Sequence, residues 1–111
     1  MTERQRLPNR RPNETVAMAH EGHTYAVTLG FDPATGEVRE IFTHGAKVGS
    51  AMDGILDDVC ILLSVLLQHG VEPASFVRSM GRLGHSGEPA SIVGWLACVV
   101  ANPRRFKNGA S

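Results

Sequence analysis

Two glycine-rich segments of this 111-residue chain lead into predicted helices, and both carry groups that can hold an anion. The first is Gly45–Ser50, which contains Lys47 and ends on a serine. Amides at a helix N-terminus, a lysine ammonium and a hydroxyl are suited to a phosphate or a carboxylate. The segment lacks the spacing of a P-loop. Because Ser50 would also cap a helix, a turn from strand to helix explains it without a ligand, and we favour that interpretation.

The second segment is Gly81–Gly87, which lies between two helical runs, with Arg82 inside it and Ser91 just beyond. Its glycine spacing is not that of the dinucleotide-binding fingerprint, and no strand precedes it. Glycines are common in loops between helices, so a structural role again needs no ligand. The candidate residues for binding an anion or a nucleotide are therefore Lys47, Ser50, Arg82 and Ser91.

The histidines and cysteines do not form a recognisable catalytic or metal site. His20 and His23 flank a predicted turn, but no third metal ligand stands at a useful spacing. Cys60 and Cys98 lie in apolar helical runs, where free cysteines are usually core residues. No CxxC pair indicates a disulfide or a zinc site. We therefore predict no catalytic residues, no metal and no cofactor.

The elements that would position these residues begin with a predicted three-stranded sheet. Val16–Phe31 is typical of a β-hairpin, since Glu21-Gly22 supplies a glycine for a tight two-residue turn. Asp32–Gly36 is a second turn, with a proline that fixes one φ angle and a closing glycine. Glu37–Thr43 is then the third strand. Because side chains alternate along strands, the sheet has one apolar face that must be covered.

One long apolar helix follows, starting near Ser50 and ending at His69-Gly70. Its apolar residues recur at helical spacing, and its acidic residues fall in the first turns, near the positive end of the helix dipole. Beyond Val59 the helix is apolar almost all round, which indicates burial on two sides, either inside the fold or in a subunit interface. The candidate association surface consists of Ile61, Val65 and Leu66.

Two shorter helices complete the predicted fold. Glu72-Pro73 starts the second helix, Pro89 opens the third, and Asn102 precedes the proline that ends it. The predicted fold class is therefore α+β, with a three-stranded antiparallel sheet followed by three helices packed on one face.

Charge divides the chain into three parts, although its net charge is zero. Residues 1–13 have four arginines and one glutamate, residues 102–111 have three basic residues and no acid, and the part between has ten acids against four basic residues. We predict a disordered basic lead-in at 1–13, one domain at 14–102 and a flexible basic tail at 103–111. The N-terminus lacks the apolar stretch of a secretory signal and no apolar run could span a bilayer, so we expect a cytoplasmic protein without membrane contact.

One block of the chain has a strand, an elbow and a helix with a distinct ending. Its characteristic residues are Gly36, Glu37, Ile41, Phe42, Gly45, Lys47, Gly49 and the run Leu67-Gln68-His69-Gly70-Val71. This block resembles the TSCPD domain, the C-terminal module of adenosylcobalamin-dependent (class II) ribonucleotide reductases, which also occurs in short stand-alone proteins. The resemblance extends over roughly residues 15–101.

The motif that names this family is only partly matched. It should fall near the start of the third helix, at Pro89–Trp95, where Ser91 matches but the Cys, Pro and Asp do not. In the reductases, the radical-generating and substrate residues belong to a large barrel domain that this sequence does not contain, and the redox cysteine pair of reductase tails is missing. The resemblance therefore implies a stand-alone module related to ribonucleoside-diphosphate reductase, with no catalytic residues of its own.

Three functional hypotheses follow. The leading one is a non-catalytic module of DNA precursor metabolism that binds a protein partner, with ribonucleotide reductase as the candidate, and that self-associates into a homo-oligomer. The second is a regulatory protein that binds a small anion or a nucleotide. The third, ranked last, is weak binding of nucleic acid through the basic tails, because the folded part is acidic and has few aromatic residues for stacking.

Overall fold

The computed structural model of the chain describes residues 3–45 and 50–109. Its elements follow the predicted order of three strands and three helices, with a short 3-10 helix at the end, so the α+β fold class is confirmed. Their bounds are β1 Asn13–His20, β2 His23–Phe31, β3 Val38–Gly45, α1 Ser50–Gln68, α2 Pro73–Ser79, α3 Ile92–Ala101 and the C-terminal 3-10 helix Pro103–Gly109.

The three strands form an antiparallel sheet in the order β1-β2-β3. β1 and β2 are joined by Glu21 and Gly22, whose φ angles of 49° and 80° are both positive. A two-residue turn with two positive φ angles matches the twist of the strands that it joins, which explains the glycine at its second position. His20 and His23 pair across this turn, and the hairpin prediction is confirmed.

The second turn connects β2 to β3. The Asp32 carbonyl accepts a hydrogen bond from the Gly36 N–H at 2.7 Å, and the Asp32 N–H donates to the Glu37 carbonyl at 2.9 Å. The Asp32 side chain also accepts from the Ala34 N–H at 2.8 Å, as in an Asx-turn. Since Glu37 belongs to this turn, β3 begins one residue later than predicted, at Val38.

The helices lie on one face of the sheet. α1 contacts β3, α3 contacts β1, and α2 packs against α3. The core between them is mostly aliphatic, as expected for a chain with few aromatic residues. None of the helices in the described part of the chain is long and apolar enough to cross a membrane. The largest fully buried side chains are Met18, Val27, Leu29, Ile41, Leu67, Leu96, Val99 and Val100.

The third helix begins at Ile92 rather than at Pro89, so the predicted start was wrong by three residues. The loop before it folds back on itself, because the Leu83 N–H donates to the Glu88 carbonyl at 2.8 Å and an isolated β-bridge joins Arg82 to Pro89. Proline fits the extended backbone of a bridge as well as the first turn of a helix. The pairing within the loop therefore holds Pro89 in an extended conformation, and the helix begins only after it.

Residues of both predicted tails contact the domain in the structure. The Gln5 N–H donates to the Gln68 carbonyl at 2.7 Å, and Arg11 forms an ion pair with Glu40. In the C-terminal 3-10 helix, Phe106 is buried in the core cluster. The predicted domain boundaries at residues 14 and 102 concern mobility in solution, and they stay predictions.

Candidate protein-association surface

α1 presents a row of polar side chains to the outer edge of β3. Ser64 Oγ accepts from the Ile41 N–H at 3.0 Å and donates to the Ile41 carbonyl at 3.2 Å. One helical turn later, Gln68 Nε2 donates to the Arg39 carbonyl at 3.1 Å. One turn earlier, Cys60 lies beside Thr43. We call the row of three pairs the edge ladder: Cys60–Thr43, Ser64–Ile41 and Gln68–Arg39.

The edge ladder explains why the otherwise apolar C-terminal half of α1 has Ser64 and Gln68 at a spacing of four. Residues four apart lie on one helix face, and alternate strand residues direct their backbone groups to the same edge. An open strand edge invites pairing with another chain, whereas this edge is bonded to α1 of its own chain. The sequence interpretation assigned no role to Ser64. The signal that it missed was the four-residue spacing that joins Cys60, Ser64 and Gln68.

The C-terminal end of α1 is fixed just after the last step of the edge ladder. Gly70 has a φ angle of 89°, and its N–H donates to the Leu67 carbonyl at 3.0 Å. The Val71 N–H donates to the Leu66 carbonyl at 3.1 Å, so the two bonds form a Schellman motif. Arg39 Nη1 adds a bond to the Leu67 carbonyl at 3.3 Å, which places a cation at the negative end of the helix dipole. The helix stop predicted from the sequence is confirmed.

The side of α1 that faces away from the core is apolar and exposed. Ile55, Ile61 and Leu62 retain 53%, 59% and 62% of their accessible surface. At about 100° per residue, these three positions fall on one side of the helix. We call Ile55, Ile61 and Leu62 the α1 outer face. Clustered apolar side chains of this kind mark interaction sites, whereas single exposed ones do not.

The α1 outer face also carries negative charge. Asp58 lies between its apolar members, three residues after Ile55 and four before Leu62. Asp57 and Asp58 are both exposed, and α1 contains no lysine or arginine. A partner that supplies a basic residue is therefore favoured electrostatically, and a second copy of the same face would bring two Asp58 carboxylates near each other.

The three residues predicted for association occupy different environments. Ile61 lies on the α1 outer face, whereas Val65 and Leu66 are half-buried. Ile55 and Leu62 also lie on the α1 outer face and were not among the predicted residues. Their seven-residue spacing, with Asp58 between them, is the signal that could have separated them. A role in association stays a prediction for Ile61, Val65 and Leu66.

The four residues predicted to bind an anion are in part engaged in local structure. Lys47 lies outside the described residues, and Ser50 begins α1, with its side chain outside the description. Ser91 Oγ accepts a backbone N–H and caps α3. Arg82 Nη1 donates to the Gly87 carbonyl at 3.0 Å and so closes its own loop. Anion binding by these residues stays a prediction.

Three of the five histidines, those of the sheet, lie in two separate places. His20 and His23 line a cavity of about 210 Å³ beside the hairpin turn, whereas His44 Nε2 lies 2.8 Å from Thr28 Oγ1 on the sheet. Among residues 3–45 and 50–109, no three His, Cys, Asp or Glu side chains are grouped to hold a metal ion. Burial raises the pKa of the Cys60 thiol, which favours the weakly nucleophilic protonated form.

Comparison with known proteins assigns the family. The model of the TSCPD domain matches residues 2–102. The chain belongs to the TSCPD domain family. The resemblance carried by Gly36–Val71 is thereby confirmed, and β3, the edge ladder and the Schellman motif are parts of a TSCPD domain.

Two curated relatives are vitamin B12-dependent ribonucleotide reductases. The enzyme of Rhodopirellula baltica is 37% identical over 68 residues, which cover 61% of this chain. The enzyme of Agrobacterium fabrum is 32% identical over 77 residues, which cover 69% of this chain. The matched region is only 6% of each reductase. No solved structure matches the chain.

Proposed function

We propose that this TSCPD domain is non-catalytic and acts by associating with another protein chain through the α1 outer face. The observation that carries the proposal is that Ile55, Ile61 and Leu62 are each more than half exposed. The opposite side of α1 is already occupied by the core and by the edge ladder. Complete burial of one such side chain stabilises a complex by about 1.5–3 kcal/mol, so three of them supply a large part of an association energy.

Two partners fit this surface. One is a second copy of the chain, which gives a homo-oligomer, and the other is a vitamin B12-dependent ribonucleotide reductase, the name that both relatives carry. Three side chains cover less than the roughly 800 Å² that each side of a standard interface buries. The contact must therefore extend to neighbouring residues, and Val65 and Leu66 are the adjacent apolar candidates.

Asp58 makes the two partners distinguishable by their response to salt. In a face-to-face pair of identical chains, two Asp58 carboxylates repel each other, so added salt should strengthen the association by screening them. A different protein with a basic residue opposite Asp58 would instead lose affinity as salt is added.

Size-exclusion chromatography with light scattering, over a series of concentrations, tests self-association of the full chain. The same measurement with an added, purified vitamin B12-dependent reductase tests the second partner. Leu62→Glu should abolish the association that is observed, and the exposure of Leu62 means that the fold should tolerate the change. Leu83→Glu is the matched control, because Leu83 is an exposed apolar residue outside α1, and it should change nothing.

Two results would contradict the proposal. One is a wild-type chain that stays monomeric and does not co-elute with the reductase at about 100 μM, since this excludes even a weak complex. The other is a complex that Leu62→Glu and Leu83→Glu leave equally intact, since the contact would then lie elsewhere. Circular dichroism of each variant confirms that the fold is retained.

A further inference from the structure

The N-terminal segment, residues 3–12, lies against the end of α1 and against β3. Arg4 Nε donates to Gln68 Oε1 at 2.7 Å, and the Gln5 N–H donates to the Gln68 carbonyl at 2.7 Å. These two bonds anchor the segment beside a cleft of about 330 Å³. The lining of the cleft is mainly polar and includes Arg4, Arg6, Asn9, Arg11, Glu40 and Gln68.

The cleft has an excess of positive charge. Its acidic residue, Glu40, is fully engaged by Arg11, with Nε–Oε2 and Nη2–Oε1 distances of 2.9 Å. Arg4 uses Nε for Gln68 and its terminal Nη groups bond to no other residue of the described part of the chain. Arg6 has no hydrogen bond or ion pair with any other described residue. Two guanidinium groups are therefore left to bind an anion, and their planar forks match the oxygens of phosphate and carboxylate.

A second cavity, of about 450 Å³, adjoins the cleft and shares Arg4, Glu40 and Gln68 with it. Farther along, its walls include Phe42 and Ile61, which are 39% and 59% exposed, and also the acidic Asp57. The positive charge is therefore concentrated at the Arg4 and Arg6 end of the two cavities. This part of the lining is the place for an apolar group. Sites for small molecules commonly have volumes of roughly 300–1,000 Å³, apolar walls and a few polar groups that fix the orientation of the ligand. The two cavities together have a volume and a lining of this kind.

We propose that the two adjoining cavities bind a small molecule with an anionic head, a phosphate or a carboxylate, and a flat apolar body. The head pairs with Arg4 and Arg6, and the body lies against Phe42 and Ile61. The excess positive charge selects for an anion, and the apolar wall distinguishes such a molecule from a bare inorganic ion. Arg11 is a positioning residue, because its pair with Glu40 holds that carboxylate away from the head.

Calorimetric titration of the full chain with phenyl phosphate, benzoate and inorganic phosphate tests this site without any protein partner. Phenyl phosphate should bind about tenfold more tightly than inorganic phosphate, because only the former places an apolar ring on Phe42. Benzoate tests whether a carboxylate can replace the phosphate head.

Three variants assign the binding to the named residues. Arg6→Gln should weaken the binding of phenyl phosphate about tenfold, and since Arg6 has no hydrogen bond or ion pair with another described residue, its replacement removes none of the described bonds. Arg10→Gln is the matched control, because it removes the same charge from an exposed residue of the same segment that lines neither cavity. Phe42→Ala should reduce the affinity for phenyl phosphate to that for inorganic phosphate and leave the latter unchanged.

Three outcomes would overturn the proposal. The first is the absence of heat or chemical-shift change with about 10 mM phenyl phosphate, a concentration that detects even millimolar affinity. The second is an equal weakening by Arg6→Gln and Arg10→Gln, which would indicate general attraction to a basic segment. The third is an affinity for phenyl phosphate that Phe42→Ala does not change.

Discussion

Ser64→Ala should destabilise the fold by about 2 kcal/mol. Ser64 and Ile41 are both buried, with 8% and 1% of their surfaces exposed, and Ser64 Oγ bonds to both the N–H and the carbonyl of Ile41. Alanine removes both bonds and leaves two buried backbone groups without partners, and at the low end of the roughly 1–3 kcal/mol for each neutral group the two together cost about 2.5 kcal/mol. Alanine has a higher helix propensity than serine, but this difference recovers only about 0.5 kcal/mol of stability. The substitution is therefore destabilising overall.

Urea unfolding followed by circular dichroism measures this effect. With a slope of about 1–3 kcal/mol per molar urea for a small domain, the midpoint should fall by about 1 M while the slope stays the same. Ser79→Ala is the matched control, because Ser79 is exposed and its hydroxyl donates only to the Ser75 carbonyl of its own helix, at 2.8 Å. It should change the free energy of unfolding by less than about 0.5 kcal/mol.

The reasoning about the edge ladder would be refuted if Ser64→Ala and Ser79→Ala unfolded at the same midpoint. Water would then satisfy the Ile41 backbone groups, and the edge of β3 would be open to solvent. A lower slope without a lower midpoint would refute it as well, because it would indicate a change in compactness rather than the loss of two specific bonds.

Three further changes test other parts of the fold. Gly94→Ala should destabilise the fold by about 1–3 kcal/mol, because the new Cβ would lie 2.8 Å from Pro89 Cβ. Gly54→Ala meets nothing within 4 Å and should stabilise α1 by up to about 1 kcal/mol. Equal thermal midpoints of the two variants would contradict this contrast. Phe106→Ala should cost about 3 kcal/mol in urea unfolding if the C-terminal 3-10 helix is part of the fold, and no change would instead support the flexible tail. Burial raises the pKa of the Cys60 thiol above its ordinary value of 9.0, so as the pH rises the thiol ionises first in the unfolded chain. The contribution of the thiol to stability is therefore fully present below pH 9.0 and declines as the pH rises above it. Wild type should therefore lose more stability than Cys60→Ala between about pH 8 and 10.5, and parallel curves would disprove it.

The parts of the fold that were predictable are those set by local backbone chemistry. The Glu21-Gly22 turn, the closing Gly36 and the helix stop at Gly70 each place a glycine at a positive φ angle, which the sequence indicates directly. The family was predictable for the same reason, since the strand and the helix ending are short segments that can be recognised without tertiary structure.

The parts that were not predictable depend on contacts between distant residues. Periodicity shows that α1 is apolar, but the position of β3 decides which side is buried, so Leu62 could not be separated from the core side by its type. The start of α3 was misplaced because the partner of Pro89 in the bridge is Arg82, seven residues earlier. The cleft beside the N-terminal segment depends on bonds from residues 4 and 5 to residue 68, a pairing that no local pattern encodes.

The edge ladder also gives a physical reason for the glutamine in the helix ending Leu67–Val71. Four helical residues advance about 6.0 Å, whereas two strand residues advance about 6.6–6.8 Å, so α1 and β3 drift apart by about 0.7 Å at each step. Ser64 fixes the register with two bonds to Ile41, and one step later the longer side chain of Gln68 reaches the Arg39 carbonyl. The helix then ends in the Schellman motif at Gly70. One side of α1 is thus committed to the strand edge, and the apolar residues that cannot contribute to it, Ile55, Ile61 and Leu62, are the ones left available to a partner.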